Sequence, residues 1–438
     1  MTDIIGYLAG IVFIAIGIGA SIAIHEFGHL FPAKRFGVKV TKYMIGFGPT
    51  LFSRKRGETE YGLKAIPLGG YIAMIGMYPP AKAGRRDTGR WASSISAART
   101  AHLENLEPGD ENRMFYQLPV YKRIIVMLGG PFMNLVLGTV LMFTALMGIG
   151  SMQATTTFES VSTCFVGNTV SQKCEAGATQ SPAKAAGLEA GDRVLAINGK
   201  AVSNWRDAQL VLQSAPAGDL QVKVQRGSQV LTKAVTPILT ERNVVDPTTG
   251  GPKLDAAGQP VLAPTPTLGV VLGSARAPLP FATTLAASGQ ALSQVGQMVV
   301  ALPVQLTQVA QATFGGADRN ANGPVSIIGV GDLAGQLGAN NQVTWQDKLS
   351  SGLLMLASLN YALFVFNLIP LLPLDGGHVA GGIYEAIKRG IYRLIRRPDP
   401  GPADTARLMP LTYAVWILLM ASSVLLILAD VINPIKFF

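Results

Sequence analysis

Four long apolar runs divide the chain, and the polar segments between them differ in kind. Ile4–Ile24 contains no charged residue, and comparable runs cover Ile124–Gly150, Gly352–Leu372 and Leu411–Leu428. A helix needs about 20 apolar residues to cross a bilayer core, so each run predicts a transmembrane helix. Ala277–Ala317 is also uncharged but carries Gln290, Gln294, Gln297, Gln305, Gln308 and Gln311. Amides are costly against lipid tails, so this segment is expected to form interfacial or packed helices instead. From Ala154 to Arg276 the pattern becomes that of a soluble α+β domain. Pro182 opens a short helix, Gly187 ends it, and Gly191-Asp192 makes a turn. Arg193–Ile197 reads as a strand closed by Asn198-Gly199, with further strands at Gln221–Val224 and Gln229–Val235.

Composition agrees with lipid as part of the solvent. Of 438 residues only 14% are charged and 49% are hydrophobic, which excludes intrinsic disorder and an ordinary soluble enzyme. The net charge of +10 is placed by topology and not as a nucleic-acid footprint, so no nucleic-acid partner is expected. Lys34, Arg35, Lys39 and Lys42 follow the first run, Lys122 and Arg123 precede the second, and Lys388–Arg407 separates the last two. Positive flanks stay inside. The N-terminus and the soluble segment are therefore expected outside a multi-pass cell-membrane protein. Met1-Thr2-Asp3 lacks the basic start of a cleaved leader, so the first run is expected to be retained. Two cysteines exclude a zinc site of four thiolates. Cys164 and Cys174 both fall outside, where a mutual disulfide is expected.

The candidate chemistry lies at the inner end of the first run. His25-Glu26-Phe27-Gly28-His29 places two imidazoles one helical turn apart, where both can bind one zinc ion while Glu26 activates water. A third ligand is needed. His102 in the inner loop is one candidate. Asp375 is better placed, in Asn367-Leu-Ile-Pro-Leu-Leu-Pro-Leu-Asp-Gly-Gly-His378 after the third run. Pro370 and Pro373 interrupt a helix there, and Gly376-Gly377 are expected to turn the backbone past the carboxylate.

These motifs together resemble the site-2 protease family of intramembrane zinc metalloproteases. Gly46-Phe-Gly-Pro49 and Pro67-Leu-Gly-Gly-Tyr71 resemble its membrane-reentrant β-hairpin. Leu128-Gly-Gly-Pro-Phe-Met-Asn134 is similar to its second-span signature, and Gly323-Pro-Val-Ser326 to the segment before its third span. Ser181–Gly199 resembles part of a PDZ domain, a module that takes peptides by strand addition. The single PDZ domain, the cysteine pair and Val431-Ile-Asn-Pro434 look most like the actinobacterial branch.

The resemblance implies an α-helical polytopic membrane protein with four transmembrane helices, a membrane-reentrant β-hairpin and an extracytoplasmic PDZ domain. The first transmembrane helix, with HExxH, would occupy 1–34, the hairpin 35–78, a cytoplasmic loop 79–122 and the second transmembrane helix 123–152. The PDZ domain would occupy 153–276, with interfacial helices and linker over 277–349. The third transmembrane helix with its Asn and Asp-Gly motif would cover 350–387, a cytoplasmic loop 388–410, and the fourth helix 411–438. It further implies Zn2+ held by His25, His29 and Asp375, Glu26 as general base, and Asn367 holding the substrate backbone. Gly46, Gly48, Gly69 and Gly70 would belong to the substrate-binding hairpin. The implied activity is cleavage of single-pass membrane proteins such as trimmed anti-sigma factors in regulated intramembrane proteolysis, with a possible peptide ligand on the PDZ domain. The alternative is a zinc-binding membrane transporter or scaffold without turnover. Glu26 separates the two, since storage needs no carboxylate between the histidines.

Overall fold

The computed structural model describes residues 2–81, 90–101, 106–166, 169–171, 174, 179–215, 218–246, 252–255, 259–316, 319–320 and 323–435. The candidate ligand His102 lies outside these residues. Helix α1 (Thr2–Arg35) leads into strands β1 (Val40–Arg56) and β2 (Thr59–Met74), then helices α2 (Ala92–Ala101) and α3 (Val120–Phe143). The middle of the chain contains β3 (Ser151–Val161), β4 (Cys164–Val166), β5 (Thr169–Ser171), β6 (Thr179–Gln180), α4 (Pro182–Ala185), β7 (Arg193–Ile197), β8 (Lys200–Ala201) and α5 (Trp205–Gln213). Strands β9 (Leu220–Arg226), β10 (Gln229–Val235), β11 (Ile238–Asn243), β12 (Leu262–Thr267) and β13 (Val270–Ala277) follow. Helices α6 (Phe281–Phe314), α7 (Ile327–Ala339), α8 (Trp345–Asn367), α9 (Asp375–Leu394) and α10 (Met409–Ile432) complete the chain. It divides into two units, Met1–Ala145 with Ser288–Phe438, and Leu146–Ala287.

In the first unit, helices within Asp3–Arg35, Val120–Ile149, Trp345–Asn367 and Thr405–Ile432 are long and apolar enough to cross a membrane. Helix α3 passes into a wider π-type turn over Thr144–Ile149. The 277–349 region contributes one 34-residue helix, α6, and the short apolar α7. Ser326 opens α7 by accepting the Ile328 and Gly329 amides on its hydroxyl, and α1 meets α7 and α8 through Ile14, Ile18, Ile22, Ala334 and Leu356.

The third apolar run does not form one helix to Leu372. Helix α8 stops at Asn367, and α9 starts afresh at Asp375. Pro370 and Pro373 cannot donate backbone hydrogen bonds, and each disfavours helical geometry in the residue before it. The Gly376-Gly377 pair also serves differently from the turn expected. Both lie inside α9, where a Cβ on Gly376 would sit 2.4 Å from the Ile369 carbonyl oxygen and one on Gly377 2.5 Å from the Leu372 nitrogen. They let the broken segment fold back against the first turn of α9.

Strands β1 and β2 are long enough to pair twice. Met44 opposes Tyr71 on one side and Gly62 on the other, while Phe52 opposes Leu63. The ribbon thus forms four rows, antiparallel in the two outer pairings and parallel where 42–45 faces 60–63, with 70–74 as an outer row bonded, among the described residues, only toward β1. Tyr43 Oη donates to the Ala23 carbonyl at 2.6 Å, tying the ribbon to α1.

The second unit is β-rich. Its main sheet runs β10-β9-β7-β3-β13, with β8 paired to β7. Strand β9 alternates as read from the sequence, burying Leu220, Val222 and Val224 against Phe158, Leu188, Ile197 and Val235. Asn198 (φ 49°) and Gly199 (φ 77°) form the turn between β7 and β8 in left-handed conformations. Smaller sheets pair β11 with β12 and join β5-β4-β6, and Cys164 is disulfide-bonded to Cys174.

One buried charge pins this unit. Asp192 is fully buried and takes two bonds from Arg226, Nε to Oδ1 at 2.7 Å and Nη2 to Oδ2 at 2.8 Å. Burial alone works against its charge, yet Arg226 and the Glu189 amide hold the carboxyl below its usual range. Replacing Arg226 with Leu strands that carboxylate and should destabilise the unit by about 3 kcal/mol. Because the folded form has the lower pKa, the pair's contribution is complete above about pH 4 and fades as pH falls further. Hydrogen exchange of the Val194 and Val224 amides across that range, in native protein and Arg226→Leu, measures both effects.

Candidate metal centre

The site forms where α1 touches α3 most closely. A Cβ on Gly28 would lie 2.2 Å from the Gly129 carbonyl oxygen, and one on Gly129 would lie 2.0 Å from that of Gly28. The next residue, Gly130, faces the imidazoles, and a Cβ there would meet His29 Nε2 at 2.2 Å. Two backbones therefore meet with no side chain between them, which is how helices pack tightly without a hydrophobic drive from water.

Around this contact His25, His29 and Asp375 bring one donor atom each to within 4.8 Å of one another. The imidazole Nε2 atoms stand 3.2 Å apart. Asp375 Oδ2 lies 3.4 Å from His25 Nε2 and 3.3 Å from that of His29. Helix α1 carries the histidines on one face, and the break before α9 delivers the carboxylate. Glu26 is buried beside them, 7% exposed.

The hydrogen bonds behind the histidines decide where their protons lie. His29 Nδ1 sits 2.8 Å from the Val126 main-chain oxygen, which can only accept. The path behind His25 is longer. Asn360 Nδ2 donates to the Leu356 carbonyl at 2.8 Å and to Ser21 Oγ at 2.9 Å, which fixes the way its amide faces. Asn360 Oδ1 then accepts from Asn134 Nδ2 at 2.8 Å, leaving Asn134 Oδ1 to accept from His25 Nδ1 at 2.5 Å. Both imidazoles are thereby protonated at Nδ1 and present bare Nε2 lone pairs. They face Asp375 Oδ2, a buried oxygen with no hydrogen-bond partner among the described residues. With the imidazoles neutral, three lone pairs are directed at one point and repel unless a cation sits there, and two imidazoles with one carboxylate suit zinc. The residues fit the metal.

The same cleft, of about 560 Å³, is lined by Phe47, Gly69, Gly70, Tyr71 and Ile72 of the β1–β2 ribbon. Asn367, Leu374 and His378 line it as well, with Leu419 from α10. Asn367 is the last residue of α8, and its Nδ2 donates back to the Leu363 carbonyl at 3.0 Å. Gly70 packs against Glu26, since a Cβ there would meet Glu26 Cγ at 2.9 Å. Gly46 and Gly48 lie within β1, at φ +91° and +81°, and are not among the cleft residues. Sequence reasoning missed Asn360. Its signal was an amide inside an apolar run, where an unpaired polar group is expensive.

Comparison with known proteins points to the same metal. Residues 13–395 match the model of peptidase family M50. The chain belongs to that family, the site-2 proteases. It is 31% identical to zinc metalloprotease Rip1 of Mycobacterium tuberculosis over 99% of both chains, and 29% identical to Rip1 of Mycolicibacterium smegmatis over 98% of both. Metalloprotease MmpA of Caulobacter vibrioides is 27% identical over 88% of each chain. This M50 protein is a membrane zinc metalloprotease.

Breaking the amide path should weaken metal binding with no ligand removed. Asn134→Leu frees His25 to take the other tautomer, so zinc affinity should fall about 10- to 100-fold in chelator competition. Asn360→Leu should act in the same direction through Asn134. Unchanged affinity in both variants would show that the imidazole needs no such support.

Proposed function

We propose that this M50 protease cuts single-pass membrane proteins within the inner part of the bilayer, using His25, His29 and Asp375 as zinc ligands and Glu26 as general base. The observation that carries the reading is the convergence of three bare donor atoms beside a buried carboxylate on a helix of spanning length. A transporter or scaffold would not need Glu26 beside the ligands. The basic flanks support a reading with the N-terminus outside, the HExxH end inside and four crossings in all.

Zinc held by His25, His29 and Asp375 would supply Lewis acidity toward a peptide carbonyl and water. Glu26 accepts a proton from the attacking water on its carboxylate and returns it to the departing amine. Burial between α1 and Gly70 limits exchange of that proton with solvent. Asn367, on the cleft wall, offers an amide to hold the substrate backbone.

A membrane substrate arrives as a helix and must be cut as an extended chain. The outer row 70–74 has its free edge available for strand addition, which would satisfy the substrate's exposed peptide groups. Phe47, Leu51, Phe52, Leu63 and Ile66 are large apolar side chains exposed on the same ribbon. This supports a hairpin that dips into the membrane.

The β-rich unit is read as an extracytoplasmic PDZ domain. A groove of about 330 Å³ lies between α5 and Thr267–Val270, where β13 begins as the edge strand of the main sheet. An edge strand beside a helix is the arrangement that accepts a peptide by strand addition. We assign the domain the rejection of substrates whose outer part is untrimmed, with anti-sigma factors as the candidate substrate class in regulated intramembrane proteolysis.

Glu26→Gln should keep zinc and lose cleavage of a transmembrane substrate by at least about 10²-fold. Full activity at equal zinc content would remove Glu26 from the mechanism. Ser151 and Ala277 are cross-strand partners, so residues 153–275 can be excised and the ends joined by a short glycine linker. The shortened enzyme should cut a bare transmembrane peptide at the native rate and also cut an untrimmed substrate that the full chain refuses. Slower cutting of the bare peptide would mark the domain as a docking site instead.

A further inference from the structure

Helix α9 is amphipathic with its polarity reversed. Ile383, Ile387, Ile391 and Leu394 recur at four, four and three residues and form one stripe, 48%, 59%, 52% and 83% exposed. On the opposite side Glu385 is buried, bound by Arg123 at 2.6 Å, Arg389 at 3.1 Å and the Ala403 amide at 2.8 Å. A surface helix in water turns its carboxylates out and its isoleucines in. Here the acid is satisfied inside, so the medium against the stripe is apolar.

The rim of the stripe says which apolar medium. Lys388 lies over the rings of Tyr384 and Tyr392, at 5.8 and 6.0 Å. Arg393, Arg396 and Arg397 are exposed at the helix end and enter no ion pair among the described residues. An apolar stripe rimmed by aromatic rings and free cations is the pattern of a helix lying in a membrane interface and facing anionic headgroups. A protein partner covering the stripe would leave those arginines to be neutralised separately.

We propose that α9 is a lipid-seated lever: its stripe embeds in the membrane interface, Arg393, Arg396 and Arg397 hold anionic phospholipid headgroups, and this seat fixes Asp375 at the other end of the same helix. The proposal rests on the membrane-spanning reading above. The helix has 20 residues and therefore acts as one rod about 30 Å long. A roll or tilt at the arginine end is carried to the carboxylate that completes the metal centre.

The test uses the full-length protein in vesicles. The two native cysteines are joined to each other, so Leu394→Cys offers one thiol for an environment-sensitive dye. Brominated phosphatidylglycerol should quench that dye at a mole fraction at least about tenfold lower than brominated phosphatidylcholine, given the attraction of three arginines. Adding Arg393→Glu, Arg396→Glu and Arg397→Glu should abolish the difference. Zinc loss to a chelator should be slower in phosphatidylglycerol than in phosphatidylcholine vesicles, and the triple variant should lose that dependence. Equal quenching by the two lipids, or an unquenched dye, overturns the lipid seat. A lipid preference without any change in zinc retention overturns the lever. Alkaline carbonate extraction separates these failures from failure of the membrane reading: protein released by carbonate sinks the latter, while protein that stays in the pellet tests only the seat.

Discussion

The contact of α1 with α3 at Gly28 and Gly129 is the constraint from which the metal centre follows. With any larger residue at either position the two backbones would have to move apart. The imidazoles would then lose the Val126 carbonyl and the Asn134 amide that set their protons. Gly130 completes the constraint by leaving the volume that the rings occupy. Three glycines, Gly28 in α1 and Gly129 and Gly130 in α3, thus decide whether His25 and His29 can act together.

A polar centre inside an apolar bundle also needs each amide to be satisfied, since water is not there to help. Asn134 and Asn360 meet this requirement in series. The path ends on the carbonyls of Leu356 and Gly17, the latter through Ser21, where no further donor is required. Each buried dipole stabilises the next and leaves no freedom in the direction of the last one, at His25. The same path makes α1, α3 and α8 a single rigid frame on which Asp375 can be aligned.

The third donor of the cluster, Asp375, comes from the least regular part of that frame. A continuous helix through Asn367–His378 would send Asp375 past the histidines. The two prolines stop α8, and Gly376-Gly377 let the intervening segment lie against α9. Helix α9 then starts at Asp375 and ends in an exposed apolar stripe among arginines. One helix therefore belongs both to the metal centre and to the surface of the unit, and this dual membership gives lipid a physical route to the chemistry.

Much of this was legible from residue order. Apolar length located the four helices that are both long and apolar enough to cross a membrane, because bilayer thickness sets a length that composition must meet. Alternation and turn residues located β7, β9, β10 and the Asn198-Gly199 turn, because strand period and left-handed conformers are local properties. The spacing of His25 and His29 fixed their shared face for the same reason. What residue order could not decide was anything set by backbone approach between distant segments. Asp375 and His102 both remained candidates for the third ligand, because the approach of α9 to α1 depends on the fold of Leu368–Leu374. Asn360 carried no role until the α1, α3 and α8 faces were brought together. The double pairing of β1 and β2, and the row 70–74 that it leaves free beside Glu26, arose from a bend that alternation along one strand does not encode. Local periodicities are written in the chain, whereas the direction of a lone pair is set by what packs behind it.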